Sequence, residues 1–118
     1  MEGMKTMNRY KLHMAGVSVN EALMQLGNDK ELYEELLQTF KKESRMNELE
    51  ASLKSGDVQG AFAAGHALKG EAGNMGFTRL YEALSILVDQ LRTGTIDGTE
   101  EMFNSVKSAY DDLMDAIG

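Results

Sequence analysis

The sequence predicts an all-α domain: an antiparallel up-down four-helix bundle with a short additional helix at its N-terminal end. The 118 residues include no proline and nine methionines, which suits uninterrupted helices around an adaptable core. Apolar residues recur at helical spacing along most of the chain, and no stretch shows the alternation typical of a strand. The length is that of one domain.

The N-terminal part of the chain is predicted to contribute little to the bundle. Residues 1–16 show no sustained periodicity and are expected to be a loosely ordered lead-in with at most one helical turn, so the domain would span residues 17–118. A short amphipathic helix follows, with Ser18 as a candidate N-cap and Gly27-Asn28 as its end. Its apolar positions are Val19, Ala22, Leu23 and Leu26.

The next helix is predicted to begin after the N-cap Asp29 and to run to about Lys54. Its apolar stripe changes direction along the way. Two interpretations fit this change: a kink around residues 41–45, or a straight helix whose halves pack against different neighbours. The stripe consists of Leu32, Leu36, Leu37 and Phe40 in the first half and of Met46, Leu49 and Leu53 in the second.

A third helix is predicted over roughly residues 58–75, between Gly56 and the N-cap Asp57 at its start and Gly76 at its end. One side carries mostly small residues, over which a neighbouring helix can approach closely: Ala61, Ala64, Gly65, Leu68, Ala72 and Met75. The opposite side therefore faces away from the core. It carries Phe62, His66, Lys69, Gly70 and Gly73.

Two further helices complete the predicted bundle. The fourth ends near Arg92-Thr93-Gly94, and the fifth is predicted to begin at a capping box formed by Asp97 and Glu100. Because the connections are short, successive helices should be antiparallel neighbours. The apolar positions are Phe77, Leu80, Tyr81, Leu84, Leu87, Val88 and Leu91 in the fourth helix, and Met102, Phe103, Val106, Tyr110, Leu113 and Ile117 in the fifth.

The glycines of the third helix need an explanation, since each costs a helix interior about 1 kcal/mol relative to alanine. A glycine-rich loop is the simpler interpretation, but Leu68, Ala72 and Met75 keep helical phase with the preceding alanines. Gly65 lies on the core stripe and is explained by close helix packing. Gly70 and Gly73 lie beside His66, where missing side chains would let a large partner bring an atom close to the imidazole ring.

Composition excludes several classes of function. The net charge of −7 and the lack of a basic run argue against nucleic-acid binding. There is no cysteine, no metal-ligand spacing, no phosphate-binding GxxxxGK[ST] loop and no nucleophile elbow, so neither a metal site nor a hydrolase is predicted. No apolar run is long enough to cross a membrane and no secretory leader is evident, so a cytoplasmic protein is expected. The expected oligomeric state is a monomer.

His66 and Lys69 together suggest phosphoryl chemistry. An imidazole is largely neutral at pH 7, so a ring nitrogen is a usable nucleophile. An ammonium one helical turn away can neutralise a phosphoryl group placed on that nitrogen. Either residue alone would be interpreted as an ordinary surface side chain. His13, which has no such neighbour, is interpreted in that way.

The stretch "GHALKGEAGNMGFTRL" resembles the motif of the histidine-containing phosphotransfer (HPt) domains of multistep two-component phosphorelays, H-x-L-K-G-x-x-x-N-x-G…L. The segments "ELYEELLQTF" and "SGDVQGAF" also resemble helix openings of that family, so the similarity covers about residues 17–115.

The resemblance implies that His66 accepts a phosphoryl group, on Nε2, from the aspartyl phosphate of a receiver domain and passes it to another receiver. Lys69 would hold the phosphoryl oxygens, and Gly70 would leave room for the partner. Arg92 matches a position where some members carry a basic residue near the site. The implied partners are response-regulator receivers and a hybrid sensor histidine kinase. Such domains have no kinase activity and bind no cofactor, because the Mg²⁺ that the transfer needs belongs to the receiver.

Two positions are specific to this chain. Many family members have Glu or Gln where Val88 stands, and that side chain can bond the imidazole. The apolar Val88 therefore leaves open what orients the His66 ring. Phe62 precedes His66 by one turn and is either a partly buried edge residue or, with Gly70, Gly73 and Arg92, a docking contact for the receiver.

Three alternatives stay open on sequence alone. The chain could be the phosphoacceptor domain of a larger hybrid or chemotaxis-type histidine kinase, or an adaptor that binds receivers without phosphotransfer. It could also be a purely structural bundle, which would leave Gly70 and Gly73 unexplained.

Overall fold

The computed structural model describes residues 7–118, which form seven helices and no strand. Short connections join the four C-terminal helices. The helices are α1 (Arg9–Met14), α2 (Val19–Gln25), α3 (Lys30–Glu43), α4 (Met46–Ser55), α5 (Val58–Met75), α6 (Thr78–Arg92) and α7 (Thr99–Ile117).

The ends of the central helices agree with the predicted caps. The Asp29 side chain accepts a hydrogen bond from the Leu32 amide at 3.0 Å and so caps α3. The Asp57 side chain likewise accepts one from the Gly60 amide at 2.9 Å and caps α5. Gly56 and Gly76 end α4 and α5 in the left-handed conformation, both with φ of 76°, which glycine adopts without steric cost. The predicted helix over residues 58–75 is therefore confirmed.

The predicted helix from Asp29 to Lys54 is broken. Ser44 adopts an extended conformation (ψ 157°) between α3 and α4, and its hydroxyl bonds the hydroxyl of Tyr110 at 2.5 Å. The interpretation of a kink around residues 41–45 is thus closer than that of a straight helix. The two halves do have different neighbours, since α3 contacts α2 and α7 whereas α4 packs along α5.

The inner face of α3 differs slightly from the predicted stripe. Tyr33 is fully buried, whereas Leu32 is exposed and Leu36 is only half-buried. The Tyr33 hydroxyl donates a hydrogen bond to the Met75 carbonyl at 2.8 Å, so a side chain of α3 caps the last turn of α5. Burial without a charged partner raises the pKa of Tyr33 to about 12.

The core lies around α5, which packs on α4 at one side and α6 at the other, while α7 packs on α6. The predicted small-residue stripe of α5 is the buried face of the helix. The facing residues of α6 are large, which fills the space that the alanines and Gly65 leave. Within α4 to α7 the largest fully buried side chains are Leu49 of α4, Leu68 of α5, Leu84, Leu87, Val88 and Leu91 of α6, and Val106 and Leu113 of α7.

The predicted capping box of the last helix is absent. Gly98, in the left-handed conformation with φ of 78°, occupies the N-cap position, so α7 begins at Thr99. This places Asp97 one residue too early to cap, and its carbonyl instead accepts a hydrogen bond from the Gln90 side chain at 2.8 Å. The left-handed Gly98 therefore moves the helix start one residue later than the sequence predicts.

The described part of the predicted lead-in is ordered. Residues 1–6 lie outside the described residues, but α1 packs on α7 and α2 through the buried Leu12, so residues 9–14 are not loosely ordered. Val17 and Phe77 form an isolated antiparallel bridge, in which the Ser18 amide donates to the Gly76 carbonyl at 2.7 Å. Ser18 was predicted to cap α2, but its side chain makes no capping hydrogen bond. Its hydroxyl instead bonds the hydroxyl of Thr78 at 2.8 Å.

Candidate functional site

His66 lies near the middle of α5 on the face opposite the buried stripe, as predicted, and its side chain is exposed. Among residues 7–118 it makes no hydrogen bond and no ion pair. Its one ring contact is with Phe62, one helical turn earlier: the two ring centroids are 5.8 Å apart and the ring planes differ by 27°. The imidazole nitrogens are thus available to a partner.

Phe62 connects His66 to α6. Its ring is half-buried against the core, and the Arg92 guanidinium carbon lies 5.5 Å from the ring centroid. Arg92 is held in turn by an ion pair of 2.7 Å with Asp89, one turn earlier on α6. The structure therefore brings Phe62, His66 and Arg92 together, with Phe62 between the other two: Arg92 contacts Phe62 and Asp89, and His66 contacts Phe62.

Lys69 lies one turn after His66 and is half-buried along α6. Its ammonium nitrogen is 5.5 Å from the centroid of the Tyr81 ring, a cation–π contact. Within the described part of the chain, no carboxylate lies within ion-pair distance of it. The positive charge is therefore not neutralised by a neighbour and can serve an incoming anion.

Tyr81 is the site neighbour that the sequence did not reveal. The apolar pattern assigned it to the core stripe of the fourth helix, yet its side chain is 39% exposed and lies beside Lys69. Tyr81 sits at the edge of that stripe, where a ring with a polar hydroxyl can lie half in solvent. The position of Tyr81 at the edge of the apolar stripe was the sequence signal that could have identified it as a site neighbour.

Three of the four glycines of α5, Gly65, Gly70 and Gly73, have different surroundings. A β-carbon at Gly70 would meet no atom within 4 Å, so this position is open, as predicted. A β-carbon at Gly73 would lie 3.3 Å from Cε2 of Tyr81, so this glycine makes room for the Tyr81 ring as well as leaving the surface bare. Gly65 is buried against α6 and is explained by close packing, as predicted.

Val88 belongs to the core. It is fully buried, and its Cγ2 methyl would be 3.1 Å from a β-carbon at Gly65. No polar side chain from this position can therefore orient the imidazole. The neighbouring polar residues of α6 are otherwise engaged: Asp89 pairs with Arg92, and the Gln90 amide donates to the Asp97 carbonyl.

Glu71, the residue after Gly70, has a perturbed carboxyl group. Burial raises its pKa, and the positive charge of Arg45, at the α3–α4 break, partly opposes that rise. Glu71 lines a groove with Leu36, Phe40 and Met75, which supply the apolar surroundings.

In residues 7–118, no group of three or more His, Cys, Asp or Glu side chains is placed to hold a metal ion. None of the helices described is both long enough and apolar enough to cross a membrane.

Comparison with known proteins places the site in a family context. A family model described as the Hpt domain matches residues 34–117, which is more than half of the chain and includes His66 and all of α4 to α7. No curated protein and no solved structure matches the chain.

Proposed function

The chain belongs to the Hpt domain family, as the resemblance of its histidine motif indicated, and on this premise we propose that it is a phosphorelay intermediate. Membership indicates a role in histidine phosphotransfer within two-component signalling. The proposal is more specific: His66 accepts a phosphoryl group from the aspartate of one receiver domain and passes it to an aspartate of another.

The observation that carries this proposal is the environment of His66. The imidazole is exposed and without a hydrogen bond to any of residues 7–118, beside the open surface at Gly70. A receiver must bring its phosphoaspartate close to the ring nitrogen, because phosphoryl transfer needs reacting atoms at about 3–3.5 Å. A surface histidine with an open neighbour on the next turn satisfies that requirement.

The transfer requires few groups from this chain. A ring nitrogen, Nε2 in our proposal, forms a bond to phosphorus while the bond from phosphorus to the aspartyl oxygen breaks, and the carboxylate leaves. Lys69, one turn away, would move from the Tyr81 ring to neutralise the phosphoryl oxygens. The receiver would supply the Mg²⁺ and the remaining stabilisation of the transition state.

The proposal includes the arrangement of the bundle. We infer that the chain forms an antiparallel up-down four-helix bundle. In it α3 and α4 together take the place of the first helix, α5, α6 and α7 are the other three, and α1 and α2 pack at one end. The short connections between these helices, residues 44–45, 56–57, 76–77 and 93–98, and the contacts of α5 with α4 and α6 support this arrangement. It would leave the His66 face of α5 free for a receiver.

The test is incubation of the whole chain with receiver domains phosphorylated on aspartate, followed by detection of acid-labile, alkali-stable label. We expect label on the wild-type protein and on His13→Gln, and none on His66→Gln. His13 is the matched control because it is also exposed on a helix, α1. Absence of label on the wild type from every receiver of its own organism would refute phosphotransfer and leave a receiver-binding adaptor, which a binding measurement would detect.

A further inference from the structure

Among residues 7–118, the His66 ring stacks on the aromatic ring of Phe62 and makes no hydrogen bond. We propose that Phe62 is a positioning residue: it keeps the imidazole in the plane from which the ring nitrogen meets the phosphoryl group. The inference rests on the proposed function, and it assigns to Phe62 an action on His66 itself in addition to any contact with a partner.

The need for such a residue follows from the exposure of His66. An exposed histidine rotates among several staggered conformations, and only some of them point a ring nitrogen at an approaching phosphorus. In this chain Val88 is buried in the core and offers no hydrogen bond. The stacked ring of Phe62, at 5.8 Å and 27°, is the contact that restricts the imidazole. Aromatic rings whose centroids are about 4.5–7 Å apart attract each other beyond simple burial.

Phe62 is itself well placed to act as a support. Its ring is half-buried against the core, so it is held on one side by the bundle. The Arg92 guanidinium lies over the same ring at 5.5 Å and forms a surface ion pair with Asp89. A side chain restricted in this way can limit the motion of its neighbour, whereas a freely rotating one could not.

The first test separates positioning from docking by using a small phosphodonor. With phosphoramidate, the bond from its nitrogen to phosphorus breaks, a bond from phosphorus to the His66 nitrogen forms, and ammonia leaves, with no receiver involved. We expect Phe62→Leu to lower the rate about two- to tenfold with phosphoramidate and with a phosphorylated receiver alike, the range that aromatic-pair energies imply. With the receiver the loss should fall on kcat, and Phe62→Tyr should restore the rate.

The control is Phe103→Leu on α7, since Phe103 is also a half-buried phenylalanine packed against the core but lies on another helix. It should leave both rates unchanged. A loss in Phe62→Leu that occurs only with the receiver, and only in KM, would overturn positioning in favour of docking. An unchanged rate with both donors would overturn it as well.

A second measurement does not depend on phosphotransfer. Stacking on Phe62 should shift the ring-proton resonances of His66, and Phe62→Leu should move them toward those of a free histidine, whereas Phe103→Leu should not. Unmoved resonances would overturn the inference whatever the rates show. A wild-type chain that takes label from neither donor refutes the proposed function, whereas a labelled wild type matched by Phe62→Leu refutes only the role of Phe62.

Discussion

The side chain of Val88 occupies the space that Gly65 leaves open in the centre of the bundle. A β-carbon at position 65 would lie 3.1 Å from Cγ2 of Val88 and 3.7 Å from Cδ1 of Leu49. Both neighbours are fully buried, so neither can move away freely. The contact sets how closely α5 approaches α6 immediately beneath His66.

Gly65→Ala is therefore expected to destabilise the protein. Alanine favours a helix by about 1 kcal/mol over glycine, but overpacking a core costs about 1–3 kcal/mol, leaving a net loss of up to about 2 kcal/mol. Urea unfolding measures the change. Val88→Ala in the same chain should relieve the crowding, so the double variant should lose less than the sum of the single ones. Strict additivity would refute the crowding account.

Gly73→Ala should stabilise the protein, unlike Gly65→Ala, although the added β-carbon would meet its neighbour at a similar distance. Its β-carbon would lie 3.3 Å from Tyr81, whose ring is partly in solvent and can shift by a few tenths of an ångström. The gain in helix propensity should then dominate, and we expect stabilisation by up to about 1 kcal/mol in the same urea experiment. A loss as large as that of Gly65→Ala would mean that the Tyr81 ring is rigid.

Gly70→Gln should separate stability from transfer. The position is open and helical, so glutamine should stabilise α5 by a few tenths to about 1 kcal/mol. The same side chain would obstruct a receiver approaching His66, so transfer from a phosphorylated receiver should slow. Gly70→Ala is the control, because it gives the helix gain with little bulk and should keep nearly the wild-type rate. An unchanged rate in Gly70→Gln would remove the steric role assigned to this glycine.

Tyr33→Phe tests the hydrogen bond that joins α3 to the end of α5. Removing the hydroxyl leaves the Met75 carbonyl without its partner at 2.8 Å, so we expect a loss of about 1–3 kcal/mol at neutral pH. Tyr10→Phe, at a tyrosine that is 73% exposed, is the control and should change stability little. A neutral result for Tyr33→Phe would show that solvent replaces the phenol.

The same residue should make stability depend on pH in the alkaline range. Its pKa of about 12 in the folded protein exceeds the ordinary value of about 10, so between these values the folded state holds a proton that the unfolded state has lost. The contribution of Tyr33 is complete below pH 10 and falls by up to about 1.4 kcal/mol per pH unit above it. Urea midpoints at pH 9 to 11 should therefore decline more steeply for the wild type than for Tyr33→Phe.

Much of the fold follows from local sequence signals. The limits of α5 and its buried face were predicted correctly because Asp57 and Gly76 mark the ends and the small residues keep one phase for eighteen positions. The break at Ser44 could only be suspected, since neither Ser44 nor Arg45 is a helix breaker. Its cause is tertiary: the hydroxyl bond to Tyr110 and the different neighbours of α3 and α4.

The site was predictable in part. His66, Lys69 and Gly70 follow one another on a single helix, so helical spacing placed them on one face. The contacts of Lys69 with Tyr81 and of Phe62 with Arg92 join α5 to α6. They depend on the register between two helices, which the pattern of either helix alone does not specify.

The bridge between Val17 and Phe77 limits how far this protein can be truncated from its N-terminal side. The family match begins at residue 34, immediately after the fully buried Tyr33. A fragment trimmed to that match would lose the phenol that bonds the Met75 carbonyl and the backbone partner of Gly76, so the last turn of α5 would be left uncovered. Expression of the isolated domain should therefore start before α1, because the cooperative folding unit is longer than the stretch by which its family is identified.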